Sequence, residues 1–188
     1  MNVYPRAGYR AGKGWRRGYV GGRRNELYMH LYLRQTGTGP DRTQDEILNP
    51  NLEPSAFGVT HAVDWPIAVG PEAGAKIVAR AQGLVMQAGL SLANARHYTS
   101  FNIVFEDDRF KGSTLQGMGI TLSESQWAIS SGTGEFALAH GIIKQKVMPP
   151  DGRFDTNIKE LHIHAFYTPT NNSVVPGVTD GKSWTLGA

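Results

Sequence analysis

No cysteine occurs in the 188 residues of the chain, which excludes a disulfide framework, a thiolate metal centre and a cysteine nucleophile. No stretch approaches the roughly 18 consecutive apolar residues that a membrane-spanning helix needs, so no membrane partner is expected. A sustained 3.6-residue apolar period of helix length is also missing, and with it the mark of an α-helical fold. There is neither a phosphate-cradling glycine loop nor a G-x-S-x-G elbow, so spacing supports no phosphoryl transfer and no serine hydrolase chemistry.

Acid is missing from one region. Residues 1–25 hold seven basic side chains (Arg6, Arg10, Lys13, Arg16, Arg17, Arg23 and Arg24) and no carboxylate, whereas the rest holds 12 basic and 16 acidic residues. The formal net charge of +3 and the pI near 9.2 therefore describe this arm and not the fold, whose own balance is −4. Rich in Gly, Arg and Tyr and poor in apolar residues, the arm is expected to stay disordered. It reads as a solvated extension; guanidinium–phosphate contacts and tyrosine stacking on nucleic acid are the alternative, and nucleic acid is not expected as a partner. Lacking an apolar h-region, the arm does not read as a secretory leader. Residues 169–188 turn to Thr, Asn, Pro and Gly and are expected to be a flexible tail, which leaves 26–168 as the folded domain.

What is present is β-structure. Residues 26–34 (E-L-Y-M-H-L-Y-L-R) alternate strictly, with Leu27, Met29, Leu31 and Leu33 on one face and Tyr28, His30, Tyr32 and Arg34 on the other. Apolar-rich runs follow at 58–65, 77–88, 98–106, 110–118, 126–130, 136–148 and 154–168. Asp107-Asp108-Arg109, the glycines of 131–134 and Pro149-Pro150-Asp151-Gly152 supply turn chemistry between them. About eight closely spaced strands predict an all-β antiparallel barrel or sandwich. Residues 36–55 read as one long loop. The stretch 131–141 (S-G-T-G-E-F-A-L-A-H-G) reads as a tight turn feeding a strand. Phe136, Leu138 and His140 share its large face, opposite Ala137, Ala139 and Gly141.

The chemistry-bearing candidates are few. His162 and His164 form an H-x-H pair on one strand face, about 7 Å apart. Spacing does not fix which of His30, His61, His97 and His140 would be a third ligand, and no metal site is expected. Asp64, between Val63 and Trp65 and ahead of Pro66, is a carboxylate in apolar company: paired, protonated or at a barrel mouth. Glu106, Asp107 and Asp108 lie near a strand end where a pair can do acid–base work, although Asp107-Asp108 fits hairpin chemistry better.

Several segments resemble the dirigent family of plant proteins. F-G-V-T-H-A-V-D-W-P-I (57–67) is similar to the family's F-G-x-x-x-x-x-D-x-P-[IL], and V-A-R-A-Q-G (78–83) to its G-R-A-Q-G. F-N-I-V-F-E-D-D-R-F-K-G-S-T-L-Q (101–116) resembles F-x-x-V-F followed by K-G-[ST], and W-A-I-S-S-G-T-G-E-F-A-L-A-H-G (127–141) resembles V-x-G-G-T-G-x-F-x-x-A-R-G. The segments occur in family order across about 27–168. The E-L-Y-M-H-L-Y-L opening is similar to a grass subgroup in which a dirigent domain precedes a jacalin-like lectin domain; no lectin domain is present in this sequence.

The resemblance implies an eight-stranded antiparallel β-barrel of the dirigent and allene-oxide-cyclase type, assembled as a trimer or dimer. It implies binding of phenolic, monolignol-type radicals that a separate oxidase, a laccase or peroxidase, supplies. The barrel then imposes regio- and stereoselectivity on their coupling in lignan and phenylpropanoid biosynthesis. No cofactor is implied, and the protein would be a non-oxidising auxiliary more than an enzyme in its own right. A related branch dehydrates or cyclises through quinone methides, using pocket carboxylates. The alternative function class is a defence-related binding module for a glycan or protein, without stereodirecting activity. The family resemblance implies an apoplastic location, for which Asn171-Asn172-Ser173 would be a glycosylation sequon; the missing leader leaves a cytoplasmic location as the alternative.

Departures from the family pattern fall on its polar groups. Leu31 stands where the first strand usually carries an aspartate, no acid occurs near 118–120, and His140 replaces the arginine of A-R-G. The ligand-binding residues expected from this reading are His30, Asp64 and His140 as polar lumen groups, with Tyr28 and Tyr32 as stacking walls. Period two alone also allows Tyr28 and Tyr32 to face the exterior.

Overall fold

The computed structural model describes residues 25–52, 54–91, 93, 96–150 and 156–168. The expected disordered arm, the expected tail with its sequon, and most of the turn after Pro150 lie outside them. The described residues contain no α-helix. They form nine strands: β1 (Asn25–Thr36), β2 (Gln44–Leu48), β3 (Thr60–Ala68), β4 (Ile77–Gln87), β5 (His97–Phe105), β6 (Thr114–Thr121), β7 (Glu124–Thr133), β8 (His140–Val147) and β9 (Thr156–Tyr167).

From β3 to β9 each strand pairs antiparallel with the next, β9 returns to β1, and β1 meets β3 through Tyr32↔Ala68 and Leu33↔Ile67. These eight strands close a barrel, as expected from the sequence. Closure removes every free edge from the ring, and the core is then the barrel interior. Alternation decides what enters it. Leu33, Ile67, Ile103, Leu115, Ile143 and Leu161 are fully buried, and Trp127 is the largest side chain among them. Because the side-chain period is two, a one-residue slip in any strand would put these groups in water, so burial fixes the register.

Phe101 sets the close packing at the centre. Its ring meets Trp127 edge to face, with centroids 5.0 Å apart. Gly83 pairs with Phe101 across β4 and β5, and a Cβ there would lie 2.1 Å from the Ser100 carbonyl oxygen. Gly117 on β6 yields space to the Phe101 ring in the same way. The glycine of the V-A-R-A-Q-G run is therefore a packing requirement. At one end of the barrel Phe105, Phe110 and Phe136 contact one another and Tyr167 meets Phe136 edge to face, forming an aromatic plug.

Two sequence expectations are corrected. The supposed loop 36–55 contains β2, whose Gln44 and Asp45 pair with Val63 and Ala62 where β3 has run past β1. The strand is short and polar, Q-D-E-I-L, so it shows no apolar alternation; Gln44 accepts a hydrogen bond from Trp65 Nε1 at 3.1 Å. The second correction concerns 131–141. Gly134–Phe136 is a 3-10 turn, Leu138 is exposed with φ 61°, and the strand starts only at His140. Phe136 is drawn into the aromatic plug, and that anchoring breaks the alternation read from the sequence.

Gly83→Ala is expected to lower the unfolding free energy by roughly 2 kcal/mol or more, because the added methyl must displace backbone. Gly74→Ala, where a Cβ meets nothing within 4 Å, serves as the control and should change little. Urea midpoints of the two variants check this, and equal midpoints would contradict the packing role of Gly83.

Candidate functional site

All five side chains expected to line the lumen face outward. On β1 the inward face is Leu27, Met29, Leu31 and Leu33, so Tyr28, His30 and Tyr32 occupy the outer wall; Tyr28 is 67% exposed. The expectation assigned the aromatic, polar face to the interior, and burial of four aliphatic side chains outweighs it. Asp64 also points outward, flanked by the inward Val63 and Trp65. It answers the question posed by its sequence neighbours by being paired: Arg80 Nε lies 2.6 Å from Oδ1, Arg80 Nη2 donates to the Asp64 carbonyl, and Gln82 Nε2 donates to Oδ1. The Arg80 hydrogen bond holds the Asp64 carboxyl below the usual carboxylate range. His140 is exposed at the start of β8 and stacks on Phe166.

The polar interior lies at the barrel end opposite the aromatic plug. Lys159 on β9 shares its face with Leu161 and Ile163 and is only 4% exposed, the one charged side chain among the buried described residues. It sits beside Leu33 on β1 and Val147 on β8. No salt bridge to it forms among the described residues. Burial alone pushes the Lys159 ammonium from 10.5 down to about 8. His97, at the start of β5, has its pKa lowered by burial first and then by the charges of His61 and Lys159. Three nitrogen bases therefore converge on one mouth.

Neutral groups complete that end. Thr99 Oγ1 and Thr121 Oγ1 lie 2.7 Å apart, and Trp127 Nε1 donates to Thr121 Oγ1 at 2.9 Å. Gln145 Nε2 donates to the Leu122 carbonyl and to Ser125 Oγ, while its buried Oε1 has no partner. No carboxylate is buried among the described residues. Such an end can hydrogen-bond and electrostatically hold an oxygen carrying partial or full negative charge.

Sequence reasoning passed over Lys159 as an interior group and over the half-buried His61 and exposed His97 at the mouth beside it. The signal was in the parity: Lys159 falls in step with Leu161 and Ile163, His97 with Phe101 and Ile103, and His61 with Val63. The histidines singled out as an H-x-H pair take separate partners on the outer wall. His164 Nε2 lies 2.7 Å from Glu26 Oε1, and Tyr28 OH also donates to that carboxylate. His162 instead joins His30 and Glu160.

With the fold and this end described, comparison with known proteins identifies the class. A family model described as Dirigent-like protein matches residues 27–166. Pterocarpan synthase 1 of Glycyrrhiza echinata is 31% identical over 147 residues, covering 74% of this chain and 77% of that protein. Dirigent protein 11 of Arabidopsis thaliana is 33% identical over 120 residues, 61% of each chain. Among solved structures, the pterocarpan synthase dirigent protein GePTS1 is 28% identical with a TM-score of 0.70, covering 78% of this chain and 87% of that one. The chain belongs to the dirigent family.

The shifted lysine gives a test of the site's electrostatics. Between about 8 and 10.5 the unfolded chain binds more protons than the folded one, so stability rises with pH through that window and the burial penalty is full below it. Lys159→Met, similar in volume, is expected to raise unfolding free energy at neutral pH by roughly 1–3 kcal/mol. The gain should shrink as pH rises through the window. Urea unfolding at both ends of it checks this; a pH-independent difference, or a loss at neutral pH, would contradict the burial of a charged amine.

Proposed function

We propose that the chain binds a phenolic ligand at the Lys159 end of its barrel and directs the coupling of phenolic radicals by position. The observation that carries this reading is a closed dirigent barrel with an aliphatic and aromatic interior that ends in hydrogen-bond donors. The phenolic ring would take the apolar wall, and its oxygen would meet Lys159, His97 and His61. Holding two radicals in one relative orientation favours one bond and one face through proximity, with no group of the protein consumed. A separate oxidase, a laccase or peroxidase, would supply the radicals. Assembly as a trimer or dimer and an apoplastic setting belong to the same reading and rest on family membership.

A second reading comes from the relatives whose names are pterocarpan synthase. Acid-catalysed loss or closure at a quinone methide calls for a proton donor beside the ligand. Leu31 occupies the position where the resemblance places an aspartate, and no carboxylate is buried among the described residues. Acid catalysis by a buried carboxylate therefore has no donor in the described interior, and positioning by Lys159 and the two imidazoles fits it better.

Coniferyl alcohol oxidised by a one-electron oxidant, with and without the protein, provides the test. The expected outcome is an enantiomeric excess in the coupled product on chiral chromatography, reduced in Lys159→Met. A racemic product identical to the protein-free control would overturn the stereodirecting function and favour the defence-related binding module on the same barrel.

A further inference from the structure

The outer wall of β1 and β9 carries a cluster that the lumen reading does not use. His30 and His162 are direct cross-strand partners, and Glu160 lies two residues before His162 on the same outward face. His30 Nε2 is 2.7 Å and His162 Nε2 3.4 Å from Glu160 Oε1, and one donor atom from each residue lies within 4.8 Å of the others. The two imidazole rings stack with centroids 4.4 Å apart and planes 12° apart, and both side chains are exposed, so a shared ion requires only that they rotate until their ring planes converge on it.

We propose that His30, Glu160 and His162 form a three-ligand site for a first-row divalent cation, Zn²⁺ or Cu²⁺. Zinc–nitrogen and zinc–oxygen bonds near 2.0–2.1 Å place tetrahedral donors about 3.3 Å apart, and the two histidine–carboxylate separations of 2.7 and 3.4 Å bracket that spacing. Two imidazoles and one carboxylate suit copper and zinc and do not suit magnesium or calcium, which take oxygen ligands. Three protein donors leave positions for water. A groove of about 430 Å³ reaches the site, with Glu160 and His162 in its wall beside Lys144 and Lys146. Those lysines lie on β8, directly opposite His162 and Glu160 on β9. Their charge lowers the affinity for every divalent cation alike, so only metals that bind nitrogen strongly are expected to be held.

Strand pairing places the three residues side by side wherever the barrel is folded. It is also independent of the lumen, and its failure would leave the ligand reading untouched. The test is calorimetric titration of ZnCl₂ and CuCl₂ into the full chain after chelator treatment. We expect uptake of one ion per chain by the unmodified protein, and affinity lower by roughly tenfold or more in His30→Ala, His162→Ala and Glu160→Gln. His30→Asn keeps a polar exposed side chain and provides a second variant should alanine disturb the strand. His140→Ala, on a different part of the wall, should bind as the unmodified chain does. No uptake, equal affinity in the three ligand variants, or equal uptake of Mg²⁺ would overturn the site.

Discussion

The contact on which the structure depends is the closure of β1 on β3, where Leu33 faces Ile67 and Tyr32 faces Ala68. Those two pairs turn an open sheet into a barrel, and they fix which face of β1 is inside. Once Leu31 and Leu33 are committed to the interior, Tyr28, His30 and Tyr32 are committed to the outer wall, and every strand around the ring inherits a matching parity. The two chemical regions of the molecule, a buried amine within and a histidine–carboxylate ladder without, follow from that single choice.

Inside, the consequence is an asymmetric tube. Aromatic rings from Phe105, Phe110, Phe136 and Tyr167 stop one end, and the opposite end gathers Lys159, His97, His61, Gln145 and the Thr99–Thr121 pair. A buried ammonium is expensive, and burial accordingly lowers the pKa of Lys159. An anionic or strongly polarised oxygen entering the mouth would relieve it, which supports the proposed phenolic ligand. Leu31, at the position where the resemblance places an aspartate, is buried and extends the apolar wall.

The barrel was legible in the sequence because its strands alternate and its turns carry Gly, Pro and Asp, and because four motif segments lie in dirigent order. What escaped was set by tertiary context. β2 is short and polar and exists only because β3 outruns β1. The turn at 134–136 is held by Phe136 joining rings from distant strands. The parity of β1 is plain in its alternation, but which of its two faces turns inward depends on closure, and the polar, aromatic face is the one that turns out. Lys159 was readable by the same rule, since it keeps step with Leu161 and Ile163, yet a lysine on an apolar face is easily taken for surface. The cross-strand meeting of His30 with His162 and Glu160 needed the β1–β9 register, which no local pattern contains.

The most direct measurement is a crystal structure of the protein soaked with coniferyl alcohol. Lumen binding predicts ligand density inside the barrel, with the phenolic oxygen within hydrogen-bond reach of Lys159 or His97. Density confined to the outer wall, stacked on Tyr28 and Tyr32 with the interior unchanged, would contradict it.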